Sequence, residues 1–310
     1  MTFVILSHPD CLSHVTPGGH PERVDRLHAV SEALNSEIFA NAHREDAPLV
    51  EDAAILLAHP ASYLDHIVSS APSDGFKSLD PDTHMSPGTL SAARRAAGAN
   101  VRAVDLVMTG EASGAFCATR PPGHHAEKTT AMGFCFFANA SIAALHAIEN
   151  HGLSRVAIAD FDVHHGNGTQ DVFWDDPQVL FASSHQSPLY PGSGMEHETG
   201  AGNIHNATLP PMSGGAEFRA AWSEKLLPAI DAFAPELLII SAGFDAHARD
   251  PLANLNLTED DFVWVTHSLM DIADKHCSGR VVSTLEGGYD LTGLAEATAA
   301  HVKTLMERTA

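Results

Sequence analysis

The stretch 156–170, VAIADFDVHHGNGTQ, changes character partway along. Its first four residues are apolar, a run with the length and composition of a buried strand. It then turns polar and enters Gly166-Asn167-Gly168, a turn signal. Asp160, Asp162 and His164 stand two residues apart. On an extended backbone successive side chains alternate faces, so these three share a side. Two carboxylates and an imidazole beyond a strand end can ligate a metal. The same residues also suit a solvated acidic turn with surface histidines, and the stretch alone does not choose.

Bulk properties narrow the field. At 310 residues the chain can hold one large α/β domain or two smaller ones, either with a substantial core. Lys plus Arg number 17 against 39 for Asp plus Glu, a formal net charge of -22. Binding a phosphate backbone requires a basic face, so nucleic acid is not an expected partner. A cationic substrate is permitted. The sequence has no 18-residue apolar span, and its opening MTFVILSHPD reaches a His-Pro-Asp turn too soon for a secretory core. No membrane partner and a cytoplasmic location are therefore expected. Cys11, Cys117, Cys135 and Cys277 are scattered, with no CxxC pair, and read as reduced, partly buried thiols.

Working outward, residues 2–6 predict a strand, and HPERVDRLHAVSEAL after the next loop predicts a helix. Residues 71–88, dense in Asp, Ser, Pro and Gly, predict a long loop of the kind that carries function. Helices are predicted over 89–108 with Gly110 as a stop, 138–150 with Gly152 as a stop, 216–233, 259–275 and 291–306. Thr258 is a candidate N-cap for the fourth of these. Short apolar runs at 114–118, 156–159, 179–182, 237–240 and 281–285 alternate with the helices. Such alternation implies a mostly parallel sheet covered on both faces. No repeat, linker or composition break divides the chain, which predicts one domain over residues 1–310.

Each of the five runs leads into residues that carry chemistry. The first is followed by TRPPGHH with His124 and His125, and the second by Asp160, Asp162 and His164. The third leads to Ser183, Ser184 and His185, the fourth to SAGFDAH with Asp245, and the fifth to EGGYD with Tyr289. Open parallel sheets bind ligands beyond the carboxyl ends of their strands, so all five deliver to one edge. That convergence favours the metal site. A catalytic zinc keeps three protein ligands and an open position for water. Asp162 and His164 supply two, and Asp245 is the best third, although GFDAH also suits a cap or turn carboxylate. One imidazole of the pair after the rigid Pro-Pro-Gly turn can take a proton from water and return it to a leaving group. Tyr289, flanked by Gly288 and Asp290, leaves its hydroxyl free to donate to an oxyanion, though a lone tyrosine more often packs.

RPPGHHA, GFCFFANA, DFDVHHGNGTQDVF, SAGFDAH and LEGGYDL together resemble the histone deacetylase superfamily, in the form of bacterial class II-like amidohydrolases and acetylpolyamine amidohydrolase relatives. The resemblance runs from about Gly18 to the final helix. It implies the arginase/deacetylase fold, a single three-layer α/β/α domain with a mostly parallel sheet of about eight strands. It implies zinc on Asp162, His164 and Asp245, with His125 as general base and then acid and His124 as electrostatic support. Tyr289 and the zinc would polarise the amide carbonyl. Asp160 would orient His124, and Asn167 would orient His125. Many relatives carry Asp at the Asn167 position, and a neutral Asn lowers the basicity of His125 relative to them. Phe134 and Tyr190 resemble the aromatic walls of an acyl-lysine tunnel, with Gly133, Gly287 and Gly288 beside them; ordinary packing is their alternative. Asp82 resembles a rim carboxylate, with Asp80 equally near. Arg23 resembles an arginine lining an internal cavity below the zinc. Structural potassium is implied at an inner site of Asp160, Asp162, His164, Ser183 and Ser184, and at an outer one of Phe173, Asp176 and Val179.

Departures from the pattern also inform. Binuclear manganese relatives carry carboxylates where this chain has Gly166 and His247, which disfavours a ureohydrolase. Some vertebrate class II members have His where Tyr289 stands, so turnover is expected here. A mononuclear iron oxygenase would use a similar triad, but the His-His pair and Gly-Gly-Tyr point to hydrolysis. A silent acyl-group binder would need a broken catalytic set, and this one is whole. The expected function is removal of acetyl or acyl groups from acyl-lysine or a related amine, with acetylpolyamine hydrolysis as the alternative. Oligomeric state is not readable.

Overall fold

The computed structural model describes residues 2–309. The apolar runs become strands, and each strand buries both faces because its odd and even residues enter different cores. Along β1 (Thr2–Ser7), Val4 and Leu6 join one cluster while Phe3 and Ile5 join the other. The same split recurs along β5 (Ala112–Cys117), β6 (Val156–Asp160), β9 (Leu237–Ala242) and β10 (Val281–Leu285). Burial on two faces is why these strands read as unbroken apolar runs instead of alternating ones.

Eight strands form one sheet in the order β2-β1-β5-β10-β9-β6-β7-β8, where β2 is His43–Asp46, β7 is Val179–Gln186 and β8 is Ile204–Leu209. Every pairing in it is parallel, tighter than the mostly parallel expectation. One face is covered by α2 (Asp52–Ala58), α3 (Ala61–Ser70), α4 (Thr89–Thr109) and α5 (Asn139–His151). The other is covered by α1 (Val24–Leu34), α7 (Gly215–Ala221), α8 (Leu227–Phe233), α9 (Glu259–His276) and α10 (Leu291–Arg308). A short α6 (Asn167–Phe173) follows the central strand.

The predicted stops hold. Gly110 and Gly152 adopt φ of 77° and 69°, the left-handed caps that glycine takes without a Cβ penalty. Thr258 caps α9, its N–H donating to Asp261 Oδ2. The single helix predicted over 216–233 is instead interrupted by a wider π turn at Trp222–Leu226. Pro228 follows at once and has no N–H for the helical ladder, which accounts for the break. The long loop 71–88 carries a small hairpin of β3 (Lys77–Ser78) and β4 (His84–Met85). The edge strands β2 and β8 were not legible: HRED has no apolar residue at all.

His301 of α10 tests the core. It is fully buried, with Nδ1 at 2.7 Å from Thr266 Oγ1 and Nε2 at 2.8 Å from Ser283 Oγ. Burial pushes its pKa down to about 3. The unfolded chain protonates this imidazole below about 6.5 while the folded one stays neutral, so stability falls as pH drops from 6.5 toward 3. Each pH unit in that window costs about 1.4 kcal/mol for this one group. His301→Gln should flatten the pH dependence of stability between pH 6 and 4 by about one proton, read from urea midpoints. An unchanged slope would show that the group does not titrate this way.

Candidate active site

The central strand stops at Asp160, and the chain beyond it is shaped by its own carboxylates. Asp160 Oδ1 accepts from Asp162 N at 3.0 Å, and Asp162 Oδ1 accepts from His164 N at 2.9 Å. These two local turns keep all three side chains on one side of the chain after the strand has ended. Asp245, just past β9, accepts from Val163 N through Oδ1 at 2.8 Å, and Gly287 N donates to Asp162 Oδ2 at 2.8 Å. His164 Nδ1 then lies 3.1 Å from both Asp162 Oδ1 and Asp245 Oδ2. A Cβ at Gly243 would meet Asp162 Oδ2, and one at Gly287 would meet Asp245 Oδ2, each at 2.1 Å. Glycine is required for the chain to come this close.

The chemistry of this trio fits a divalent cation. All three residues are buried, and their ligating atoms lie within 4.8 Å of one another. Burial and the charge of Asp162 push Asp245 up to about 7. Burial would also raise Asp162, but His124 and His164 hold it below the usual carboxylate range. Asp162 and Asp245 share the His164 imidazole, and His124 must also serve Asp160, so a cation would be favoured among these carboxylates. Ligand atoms around a tetrahedral zinc stand about 3.3 Å apart, close to the separations here. Asp105, His146 and His151 form a second such group between α4 and α5, partly exposed. There Asp105 Oδ1 lies 2.7 and 2.8 Å from the two Nε2 atoms, which ordinary hydrogen bonds account for.

The structure brings the two expected histidines to this trio with opposite character. His124 Nδ1 is 3.0 Å from Asp160 Oδ2, and His125 Nδ1 is 2.7 Å from Asn167 Oδ1. Their ring centroids are 4.0 Å apart. Burial opposes charge on both rings, but Asp162 and Asp160 raise His124 well above its ordinary value. Burial and the neighbouring His124 and His164 push His125 well below it. The turn that carries them hangs on a buried carboxylate absent from the expected site residues. Glu286 Oε2 accepts from Gly123 N at 2.7 Å and His124 N at 3.2 Å. Glu286 follows β10 directly, so the strand-end rule that selected its neighbours also points to it.

Aromatic side chains stand over the trio. Tyr190 meets the His125 ring edge-on at 5.3 Å, and Phe134 meets Tyr289 edge-on at 5.9 Å. Phe134 has φ of 69°, and Gly133 (φ of 55°) lies so close to His125 that a Cβ would meet its Cδ2 at 2.4 Å. Gly288, with φ of 125°, lies against Leu294. Tyr289 N donates to Asp250 Oδ2 at 2.7 Å, which fixes that loop. Between the rim candidates, Asp80 spends Oδ1 on Asp82 N and Thr83 N, forming the turn that presents Asp82. Asp82 is raised by burial and by Asp80, and both carboxylates lie near enough to act on Tyr190.

Arg23 is a correction. It precedes α1 and faces solvent, ion-paired with Asp25 at 3.3 Å. Arg26, almost one helical turn on, is the arginine turned inward. It donates to Gly288 O at 2.6 Å and Glu286 O at 2.5 Å, and its guanidinium stands 4.9 Å from the Tyr289 ring. Helical phase would have separated the two, because only Arg26 joins the buried stripe with Leu27 and Val30.

The two expected potassium sites differ in fit. At the inner one, Asp160 pairs in register with Ser183 beside other buried carboxylates; the Ser183 hydroxyl lies 3.0 Å from His185 Nδ1 and that of Ser184 accepts from Trp222 Nε1, so the buried negative charge is what suits an alkali cation there. At the outer one the carbonyls of Phe173, Asp176 and Val179 do converge, but on Asn203 Nδ2, at 2.9, 3.0 and 2.8 Å. The amide nitrogen holds the position a cation would take, so an outer ion does not fit.

Residues 20–305 match the family model described as Histone deacetylase domain. The chain is 39% identical over 277 residues to the histone deacetylase-like amidohydrolase of Pseudomonas aeruginosa, covering 87% of this chain and 73% of that one. It is 36% identical over 302 residues to a probable deacetylase of Archaeoglobus fulgidus, covering 94% and 83%. It is also 39% identical over 301 residues to Histone deacetylase 10, chloroplastic, of Oryza sativa subsp. japonica, covering 90% and 68%. The crystal structure of the HDA15 HD domain superposes with a TM-score of 0.93 at 32% identity, over 99% of this chain and 90% of that one. The fold and its edge cluster define a hydrolase of the deacetylase class. More narrowly, the chain belongs to the histone deacetylase family, whose members typically depend on a metal. Among the described residues no helix is long and apolar enough to cross a membrane.

Asn203 offers a direct check on the outer site. Asn203→Ala strands three carbonyls and should cost on the order of 1–3 kcal/mol. Potassium should recover part of that loss, giving the variant a potassium-dependent melting temperature beyond any shown by the parent. Equal responses to KCl in both proteins would show that the amide does not stand in for an ion.

Proposed function

We propose that the protein is a zinc-dependent amidohydrolase that removes acetyl or other acyl groups from acyl-lysine or a related acylated amine. The observation that carries this reading is the buried Asp162–His164–Asp245 trio lying beside one imidazole disposed to be charged and one disposed to be neutral. Zinc held by that trio would supply a Lewis acid and an activated water. His125, neutral, takes the proton of the attacking water and hands it to the leaving amine. His124, kept cationic by Asp160 and Asp162, offsets the negative charge that builds during attack. Tyr289, whose pKa burial raises well above 10, stays protonated and donates to the developing oxyanion. Phe134 and Tyr190 flank the apolar stem of the substrate beside Gly133, Gly287 and Gly288, and Asp82 meets its backbone at the rim. Arg26, in place of Arg23, puts a cation behind Tyr289, where a carboxylate product would be held. A potassium ion at the inner site completes the reading.

Acyl-lysine is the favoured substrate. An acetylpolyamine is the second reading, favoured by the rim pair Asp80 and Asp82 and by the net charge of -22. Protein stripped by chelation and reloaded with zinc should hydrolyse acetyl-lysine peptides, and Tyr289→Phe should lower kcat by about 10²–10³ with KM little changed. A hundredfold preference for N-acetylputrescine or N-acetylspermidine in kcat/KM would make it a polyamine enzyme. No turnover of either class, or full activity in Tyr289→Phe, would overturn the deacetylase reading.

A further inference from the structure

Asn167 raises a problem that a carboxylate at its position would not. A neutral imidazole can accept the proton of water only at the nitrogen without hydrogen, so His125 must carry its own hydrogen on Nδ1. A carboxylate beside Nδ1 accepts only and enforces that tautomer. A primary amide is two-faced: its oxygen accepts, its nitrogen donates, and the two ends have nearly the same shape. With the nitrogen turned toward Nδ1, the imidazole hydrogen is driven to Nε2 and the base is lost. Something must fix which end of Asn167 faces His125.

The far side of Asn167 supplies the answer. Its Nδ2 lies 2.8 Å from Glu127 Oε1, while its Oδ1 faces His125 Nδ1 at 2.7 Å. The sulfur of Met132 stands 3.3 Å from the same nitrogen, a second weak acceptor. An ionised carboxylate offers no donor, so only the nitrogen end can face it. Turning the amide over would place Asn167 Oδ1 against Glu127 and break a charge-assisted hydrogen bond at the same time. Glu127 is well held for this task. It lies two residues past His125, partly buried, and its backbone N–H donates to Thr130 O at 3.0 Å. Gly168 N and Thr169 N both donate to His124 O, so α6 and the histidine turn are locked together and neither side of the chain of contacts drifts.

We propose that Glu127 is a positioning residue that fixes the orientation of the Asn167 amide and, through it, the tautomer of His125. The pair Glu127 and Asn167 does jointly what one carboxylate would do alone, with the negative charge one group further from the ring. The proposal rests on the assignment of His125 as the base, and its test is chosen so that the two can fail separately.

The test has a spectroscopic and a kinetic arm, both on the zinc-loaded full chain. Long-range nitrogen–proton NMR of the His125 ring reads the tautomer without requiring turnover. The parent should show hydrogen on Nδ1. Glu127→Ala should show a mixture, and Glu127→Gln, whose amide oxygen can still accept from Asn167, should largely restore the parent pattern. On acetyl-lysine peptide, Glu127→Ala should lower kcat by tenfold to a hundredfold with KM within threefold, and Glu127→Gln should regain most of that loss. Asn167→Asp alone sets two carboxylates against each other and should be impaired. Adding Glu127→Gln gives the new carboxylate a donor and should recover activity, so the double variant should exceed the Asn167→Asp single. An unchanged tautomer in Glu127→Ala, or losses that simply multiply in the double variant, would overturn the proposal. A tautomer shift in a protein that turns over no acyl-amide would uphold the positioning role and count against the function assigned to the site.

Discussion

Burial of negative charge at the carboxyl edge of the sheet governs the rest of the structure. Asp160, Asp162, Asp245 and Glu286 are all essentially inaccessible to solvent. An unpaired carboxylate in such surroundings costs several kcal/mol, so each must collect donors. Here backbone N–H groups supply most of them: those of Asp162, Val163, His164 and Gly287 for the aspartates, and those of Gly123 and His124 for Glu286. Every one of these donors lies in a loop that also carries a functional side chain. The demand for hydrogen bonds therefore holds the loops in place, and the constellation is rigid without regular secondary structure. The glycines at 243 and 287 follow from the same demand, since any side chain there would displace the carboxylates from their partners.

A second buried network anchors the opposite side. Glu22 accepts two hydrogen bonds from Arg120, at 2.7 and 2.6 Å, and one from Arg26 at 3.1 Å. His14 Nε2 lies 3.3 Å from the same carboxylate. Arg26 then reaches the carbonyls of Glu286 and Gly288. The chain before α1 is thereby tied to the turn that carries Tyr289 and to the strand end that carries Glu286. Two guanidinium groups against one carboxylate leave this region positive, facing the negative cluster across the Gly-Gly turn. The Tyr289 ring is in contact with Arg26, which restrains it.

Much of this was legible because the informative residues sit where two local signals coincide. Four of the five apolar runs end in polar turns at the sheet's edge, where Asp162, His164, Asp245, His124, His125 and Tyr289 arrive; the third instead continues as strand through Ser183, Ser184 and His185 to Gln186. What escaped lacked a local signal. The strand His43–Asp46 has no apolar residue, because its backbone pairs with β1 while its side chains stay near solvent. The strand Ile204–Leu209 alternates too weakly to stand out, since Asn206 is buried by bonding Gln170 instead of by being apolar. Arg23 was chosen by position in a motif, whereas burial is decided by helical phase, which selects Arg26. Glu127 meets Asn167 through one hydrogen bond and Asn203 meets three carbonyls, contacts that exist only once α6 has packed against the histidine turn and β8 against β7.

The contrast between the two expected cation positions follows from formal charge. At the outer one the groups that converge are three neutral carbonyls, which need donors but carry no net charge. A side-chain amide meets most of that need. Its two hydrogens are shared among three oxygens, and no ion has to be stripped of water to fill the space. At the inner one Asp160 stands among other buried carboxylates, and its charged partner, His124, also serves Asp162. Burial raises Asp160 even against the pull of His124. An amide therefore meets the needs of the three carbonyls on the edge side of β7, beside β8, whereas beside Asp160 it would bring no positive charge to the buried carboxylates.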